Sequence, residues 1–189
     1  MIAVAPIDEK CIFVGDLGNL GVQTDSYDEE KDFIVRVASA VYGNQPTFCA
    51  GASFYGYTTL LNKNTVKNSL TCHATDFASS VSTASPDPSF SPAETTTEAV
   101  QFLNGATSTL SAVYNCLVFF TAQQDLAGSD VPTIDDTLYK RLVVVGYNGT
   151  DAKSLVSSSS TVGSSISVPY TFTDDDVSRV VNAVENGFR

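Results

Sequence analysis

The segment Cys11–Asp16 is the sequence feature that most restricts the fold. Its apolar run, Cys-Ile-Phe-Val, stops abruptly at Gly15-Asp16. A short apolar run that ends in this way is typical of a central parallel strand, because helices cover both faces of such a strand. Asp16 is then expected at the carboxyl end of the strand. Ligands bind at that edge of open α/β sheets, so we expect the function to depend on what surrounds Asp16.

The rest of the chain alternates between helical and strand patterns. A first helix is expected after a capping box formed by Ser26 and Glu29, and a last helix after a cap at Thr173. Between them we predict a hairpin over 47–61, a short helix after Thr71, a helix over 97–110, strands over 114–121 and 141–147, a short helix over 133–140 and an edge strand over 165–172.

This order predicts one α/β domain over residues 1–189. We expect a doubly wound, mostly parallel six-stranded sheet with one antiparallel edge strand and helices on both faces. The length of 189 residues and the hydrophobic content of 43% are sufficient for a single core.

The charge of the chain excludes some classes of partner. Its formal net charge is −11, and its ten Lys and Arg residues are scattered. Nucleic-acid binding requires clustered basic residues, so no nucleic-acid partner is expected. No segment reaches the roughly 18 to 20 apolar residues that span a bilayer, so membrane insertion is not expected either. An acidic surface suits divalent cations or a basic partner, and it also favours solubility.

The four cysteines do not define their own pairing. Cys49 and Cys72 are the better placed for a disulfide. Cys11 and Cys116 fall in apolar, strand-like runs, where we expect free thiols that pack as small buried hydrophobes. Four cysteines allow three pairings, and the sequence does not choose between them.

Several features indicate an extracellular protein. They are the four cysteines, the sequon Asn-Gly-Thr with Asn148 as its glycosylation site, and the abundance of Ser, Thr and Tyr beside little Lys. The amino-terminal residues 1–6 lack the charged flank of a signal peptide. We therefore expect a mature or recombinant piece without its signal; the alternative is an intracellular protein.

The order of these segments resembles the von Willebrand factor A (VWA) domain family over nearly the whole chain. The matching segments are Cys11–Asp16 as the first strand, 47–61 as the hairpin, Leu117–Thr121 as the fourth strand, Leu142–Gly146 as the fifth and the helix after Phe172 as the last. The resemblance implies a doubly wound α/β fold. It also implies ligand adhesion through a metal ion at the carboxyl ends of the strands, where the metal captures a carboxylate of the partner.

The family's metal ligands are only partly present. The first strand of the family supplies Asp-x-Ser-x-Ser, and the fourth ends in Thr-Asp-Gly. Asp16 matches the first ligand, but Gly18 and Leu20 stand at the serine positions and Ala122 at the second carboxylate. Mg²⁺ prefers an octahedral set of oxygen ligands. The resemblance therefore predicts a degenerate site without a tightly bound metal, and no cofactor.

An alternative retains a divalent cation, Mg²⁺ or Ca²⁺. The family's loop hydroxyl would come from one of Thr95–Thr97, with Thr96 preferred, so that Asp16 and Thr96 hold the ion. Asp125 would serve as a substitute ligand, or Asn19 would coordinate from a shifted loop.

We interpret the chain as a non-enzymatic, extracellular interaction or adhesion module. It is expected to bind a protein or glycan, without metal, through the loops at the carboxyl ends of the strands. The candidate ligand face consists of Asp16, Gly18, Asn19, Thr96, Gln123 and Asp125.

Other classes remain as alternatives. One is a divalent-metal-dependent adhesion domain that uses Asp16, and another is a structural domain of an extracellular assembly. A third is a nucleotide-binding domain in which the glycines of Gly15–Gly21 approach a phosphate; Asp16 would repel that phosphate. No enzymatic activity is expected, because the sequence has no G-x-S-x-G motif and His73 is its single histidine.

Overall fold

A computed structural model describes residues 9–126, 130–137 and 139–186. The described chain contains one sheet of five strands in the order β2-β1-β3-β4-β5, and every neighbouring pair is parallel. The strands are β1 (Lys10–Leu17), β2 (Cys49–Gly56), β3 (Cys116–Thr121), β4 (Arg141–Gly146) and β5 (Gly163–Ser167). The helices are α1 (Asp28–Asn44), α2 (Lys63–Asn68), α3 (Ala74–Thr83), α4 (Thr96–Gly105), α5 (Thr107–Leu110) and α6 (Asp174–Glu185).

Helices cover both faces of the sheet. Phe13 of β1 packs in one core with residues of α1, α3 and α6, such as Phe33. Its neighbour Val14 points to the opposite core, where residues of α2, α4 and α5 pack, such as Leu103. Burial on both faces explains why the strands are almost continuously apolar. Within the described ranges, no helix has the length and apolar character needed to cross a membrane.

Helix α1 confirms the predicted first helix but begins differently from the prediction. Ser26 lies in a short 3-10 helix, Thr24–Tyr27, and α1 starts after Tyr27 without a side-chain cap. The predicted capping box of Ser26 and Glu29 is therefore wrong. Two exposed acidic residues in the first turn of α1, Asp28 and Glu29, favour the positive end of the helix dipole in place of the cap.

Capping boxes begin helices α4 and α6. In α6 the predicted cap is confirmed, since Thr173 and Asp176 bond reciprocally to backbone N–H groups. In α4 the same arrangement joins Thr95 and Glu98, so the helix starts at Thr96, one residue earlier than predicted.

The predicted hairpin over 47–61 is wrong, and with it the six strands and the antiparallel edge strand. Residues 49–56 form a single strand parallel to β1. Gly56 does not turn the chain back. Its φ is 108°, and a Cβ atom there would collide with the backbone of Leu17 and Gly18. Gly56 is therefore required where the ends of β1 and β2 approach closely. Among the described residues, antiparallel pairing occurs at an isolated bridge between Ala50 and Thr71.

The helix predicted over 133–140 is also wrong for its described residues; Leu138 lies outside them. Asn104 holds this segment by accepting from the N–H of Asp135 at 2.8 Å and donating to the carbonyl of Thr133 at 2.9 Å. Ile134 donates to the carbonyl of Leu155. These long-range hydrogen bonds satisfy the backbone without a helix.

Two disulfides tie the sheet. Cys49 pairs with Cys72 beside the outer strand β2. Cys11 pairs with Cys116, which lies directly opposite it in the register of β1 and β3. The expectation of free thiols at Cys11 and Cys116 is therefore wrong. Both side chains are buried as expected, but their adjacent strand positions bring the two sulfur atoms into bonding range.

Candidate functional site

The candidate site lies where the strand order reverses. Strand β1 has β2 on one side and β3 on the other, so the carboxyl ends of these three strands meet at a topological switch point. Asp16 pairs in register with Tyr55 of β2, and Thr121 ends β3. We call Asp16, Asn19, Tyr55, Thr96 and Thr121 the Asp16 cluster, and this side of the sheet the carboxyl edge.

The carboxylate of Asp16 has no exposed surface, and four N–H groups donate to it. Its Oδ1 accepts from the backbone N–H of Gly18 at 2.8 Å and of Asn19 at 3.0 Å. Its Oδ2 accepts from the side-chain Nδ2 of Asn19 at 2.7 Å and from the backbone N–H of Ala122 at 2.9 Å. Hydrogen bonds to an ionised group are the stronger kind, so these donors balance the buried charge.

A chain of hydroxyl groups extends the cluster. The Thr96 hydroxyl lies 3.2 Å from both the Tyr55 hydroxyl and the Thr121 hydroxyl, and Asn19 Nδ2 donates to it at 3.4 Å. Tyr55 donates to the carbonyl of Phe120. Burial first, and then the charge of Asp16, raise the pKa of Tyr55 well above its ordinary value. The phenol therefore remains protonated and keeps its role as a donor.

Glu30 supports the cluster from α1. Its Oε1 accepts the backbone N–H of Asp16 at 2.9 Å, and the residue is 1% exposed. Within the described chain, Oε2 of Glu30 has no hydrogen-bond partner. Burial, followed by the charge of Asp16, raises the pKa of Glu30 well above its usual range. Glu30 therefore faces the cluster instead of solvent, although it lies in the first turn of α1.

Four of the six predicted face residues come together in the structure. Asp16, Asn19 and Thr96 contribute side chains, and Gly18 contributes its N–H group. Gln123 lies beside them and donates its N–H to Thr121 Oγ1.

Asp125 lies apart from the cluster. It is exposed, in a left-handed conformation with φ of 59°. Within the described residues, no hydrogen bond links it to Asp16 or Thr96.

Three members of the site were missed from the sequence. The predicted hairpin over 47–61 does not place Tyr55 beside Asp16, and the pattern of 114–121 identifies Thr121 only as the end of a strand. Glu30 carries no local signal, because its partner is a backbone N–H group 14 residues away. A prediction of 49–56 as one strand parallel to β1 would have placed Tyr55 beside Asp16.

The residues of the Asp16 cluster do not fit the metal ion that the VWA resemblance implies. A divalent cation of this kind is held by oxygen lone pairs. Both carboxylate oxygens of Asp16 already accept two N–H groups each, and the donor Nδ2 of Asn19 bridges Asp16 and Thr96. Elsewhere in the described ranges, no group of three or more His, Cys, Asp or Glu side chains is arranged to hold a metal.

Two backbone N–H groups after β1, which could otherwise bind a phosphate, are also committed to internal contacts. The N–H groups of Gly18 and Asn19 donate to Asp16. They are therefore directed at a carboxylate and not at the surface, where a phosphate would approach.

Asn148 lies in the turn that follows β4, on the carboxyl edge. It is exposed and left-handed, with φ of 56°. Thr150 of the same sequon is 2% exposed, and its hydroxyl accepts from Gln124 Nε2 at 2.8 Å. The glycan acceptor is thus open to solvent, whereas the sequon hydroxyl is packed.

Among comparisons with known proteins, those with solved structures identify the fold. No protein-family profile matches the sequence, and no curated protein matches it significantly. The structure is similar to the SpRpn10 VWA domain, with a TM-score of 0.52 and 14% identity over 93% of this chain and 95% of that chain. It is also similar to the conserved hypothetical protein BatB from Bacteroides thetaiotaomicron, with a TM-score of 0.56 and 14% identity over 95% of this chain and 98% of that chain. At this identity the similarity establishes the fold alone, and that fold is von Willebrand factor A-like.

Proposed function

We propose that this chain is a protein-interaction module that binds its partner through the carboxyl edge and needs no metal ion to do so. The observation that carries the proposal is the position of the Asn19 side-chain amide. Its Nδ2 donates to Asp16 at 2.7 Å and reaches Thr96 at 3.4 Å, so a neutral donor bridges the two side chains that the metal-dependent alternative would use.

The hydrogen bonds of the Asp16 cluster favour a rigid edge. They join the loop after β1 to the ends of β2 and β3 and to the start of α4. A surface that is ordered before binding loses less conformational entropy when a partner docks. This argues for a docking role that depends on shape and polar contacts instead of a bound cation.

Exposed apolar side chains on the same edge support a protein partner. Among the described residues, the exposed large hydrophobic side chains are Val22 at 45% and Phe90 at 41%. Val22 lies in the loop after β1, and Phe90 lies in the loop that leads into α4. Each side chain offers an apolar contact to a protein that docks on this edge, and aromatic residues such as Phe90 are enriched at protein interfaces.

We also propose an extracellular location. Both disulfides favour an oxidising compartment, since such bonds rarely persist in the cytosol. The exposed Asn148 is compatible with glycosylation at the rim of the carboxyl edge. A glycan there would limit which partner surfaces can approach from the side of β4.

Site-specific photo-crosslinking tests the proposed face. A photoreactive residue at Val22 is expected to crosslink a distinct protein from the extracellular fluid of the source, with the same yield before and after chelation. The matched control is Ala112, which is exposed at the opposite, amino end of β3. Equal crosslinking from both positions, or loss of the product on chelation, would contradict the proposal.

Calorimetry tests metal independence directly. Titration of Mg²⁺, Mn²⁺ or Ca²⁺ into the chelator-treated chain is expected to give no saturable heat. Asp16→Ala serves as the control. Saturable binding that this substitution abolishes would reinstate the metal-dependent alternative.

A further inference from the structure

A cleft of about 650 Å³ opens beside the Asp16 cluster, and no role has been assigned to it so far. One wall is the segment after β2, with Thr58 and Thr59, and the other is the loop that carries Phe90 and Glu94. Glu98, in the first turn of α4, completes it. We call this the Phe90 cleft. Its volume falls within the range of ligand-binding pockets.

The backbone holds the two walls of the cleft together. The N–H of Glu94 donates to the carbonyl of Gly56 at 2.9 Å, and the N–H of Asp87 donates to the carbonyl of Tyr57 at 2.7 Å. The N–H of Phe90 in turn donates to the carbonyl of Asp87 at 3.0 Å. The loop is thus attached to the end of β2 at two points, and the cleft exists before any ligand binds.

The cleft carries negative charge. Its charged lining residues are Glu94 and Glu98, and among the described residues no Lys, Arg or His lines it. Oε2 of Glu98 is engaged by the N–H and hydroxyl of Thr95 at 2.8 and 2.9 Å. Glu94 is half-buried, and within the described chain its carboxylate accepts no hydrogen bond and joins no salt bridge.

The environment of Glu94 favours an external cation. Burial, and then the charge of Glu98, raise its pKa from 4.5 to about 7. A positive group entering the cleft would relieve both effects, because it replaces lost hydration and offsets the like charge. Phe90, a residue that is 41% exposed, supplies an aromatic surface in the same cleft.

We propose that the Phe90 cleft receives an arginine side chain of the protein partner. The guanidinium group is planar, stacks on aromatic rings and forms paired hydrogen bonds with carboxylates, which are the two kinds of surface that Phe90 and Glu94 provide. The net charge of −11 favours a basic partner at long range. This inference rests on the proposed interaction function and specifies the chemistry of its partner. In metal-dependent adhesion the partner supplies a carboxylate, whereas here the partner would supply a cationic group.

The test uses doubly blocked arginine as the probe, with amide chemical shifts of the whole chain as the readout. Saturable shifts are expected in residues 56–62 and 89–98, with millimolar affinity. Blocked citrulline has the same shape without the charge and is expected to cause no saturable shifts. Glu94→Gln is expected to weaken arginine binding about fivefold, the effect of losing a partly solvated ion pair. Phe90→Ala is also expected to weaken it.

The control variant is Asp175→Asn, which removes an exposed carboxylate of α6 and is expected to leave the affinity unchanged. Binding is also expected to weaken below pH 7, as Glu94 becomes protonated. Diffuse shifts, equal binding of citrulline, or an effect of Asp175→Asn equal to that of Glu94→Gln would overturn the inference. If crosslinking at Val22 still succeeds in that case, the interaction face stands and only its arginine specificity fails.

Discussion

Replacing Asn19 with Asp tests most directly whether the side-chain amide of Asn19 occupies the position that a metal ion would need. The substitution keeps the size of the side chain but replaces the Nδ2 donor with an anionic oxygen. That donor lies 2.7 Å from Asp16 Oδ2 and 3.4 Å from Thr96 Oγ1. The variant would thus place two carboxylates in contact with nothing between them.

The expected loss of stability has two parts. Losing the hydrogen bonds of the amide costs about 1–2 kcal/mol, because water can replace them only partly. Repulsion between two carboxylates at about 4 Å has a ceiling of about 4 kcal/mol near a protein surface. Since the side chain at position 19 is exposed, solvent screening should leave about 1 kcal/mol of this repulsion. We therefore expect Asn19→Asp to lower the free energy of unfolding by about 2–3 kcal/mol at pH 8.

Asn19→Ala is the matched control, since it removes the hydrogen bonds without adding charge. Urea unfolding at pH 8 and pH 5, with and without millimolar Mg²⁺ or Ca²⁺, separates the two variants. The gap between them should close towards pH 5, where the new carboxyl group begins to protonate and can donate to Asp16. Metal should stabilise Asn19→Asp, by about 2.7 kcal/mol when its free concentration is a hundredfold above the dissociation constant. Identical stabilities at pH 8, with no metal response in either variant, would refute the reasoning.

Three further substitutions, with Gly43→Ala as a control for the last, test other features of the structure by urea unfolding. Glu94→Gln should stabilise the protein by about 1 kcal/mol at pH 8 and leave its stability unchanged at pH 4. With Glu94 present, the free energy of unfolding falls as pH rises from 4.5 to about 7, because the carboxyl group ionises first in the unfolded chain. Parallel pH curves for the two proteins would contradict this. Glu30→Gln should likewise abolish a decline in stability that begins above about pH 4.5, where the unfolded chain ionises; an unchanged pH dependence would mean that Glu30 is not titrating in the fold. Gly56→Ala should destabilise the protein by about 3 kcal/mol or more, because its φ is 108° and its Cβ would meet the backbone of β1. Gly43→Ala, a helical glycine with open space around it, should instead be neutral or stabilising by up to about 1 kcal/mol.

Local signals in the sequence were sufficient for the elements whose ends are defined locally. The run before Asp16 predicted β1, and Thr173 predicted the start of α6, because a continuous apolar strand and a capping box each depend on a few adjacent residues. The same strand also placed Asp16 at the edge where the cluster forms.

Errors arose where a distant contact decides the conformation. Gly56 looks like a turn glycine, but its role is set by the approach of β1, 39 residues earlier in the register. Asn104 prevents a helix over 133–137 through hydrogen bonds that no local pattern indicates. The bridge of Cys11 and Cys116 likewise depends on strand order. The sequence was sufficient to predict that the site lies at the carboxyl ends of the strands. The hydrogen-bond partners within the site depend on tertiary structure.

The disulfide between Cys11 and Cys116 has a consequence for how this fold is reached. In a sheet of parallel strands, every pair of neighbours is far apart along the chain, and these two cysteines are separated by 105 residues. Closing a loop of that length costs about 4–5 kcal/mol of chain entropy in a simple polymer treatment. An oxidised chain unfolded in denaturant still has Cys11 tethered to Cys116, so the segments that form β1 and β3 remain close to each other. We expect it to refold faster than the reduced chain, which must first find the central strand pair by diffusion.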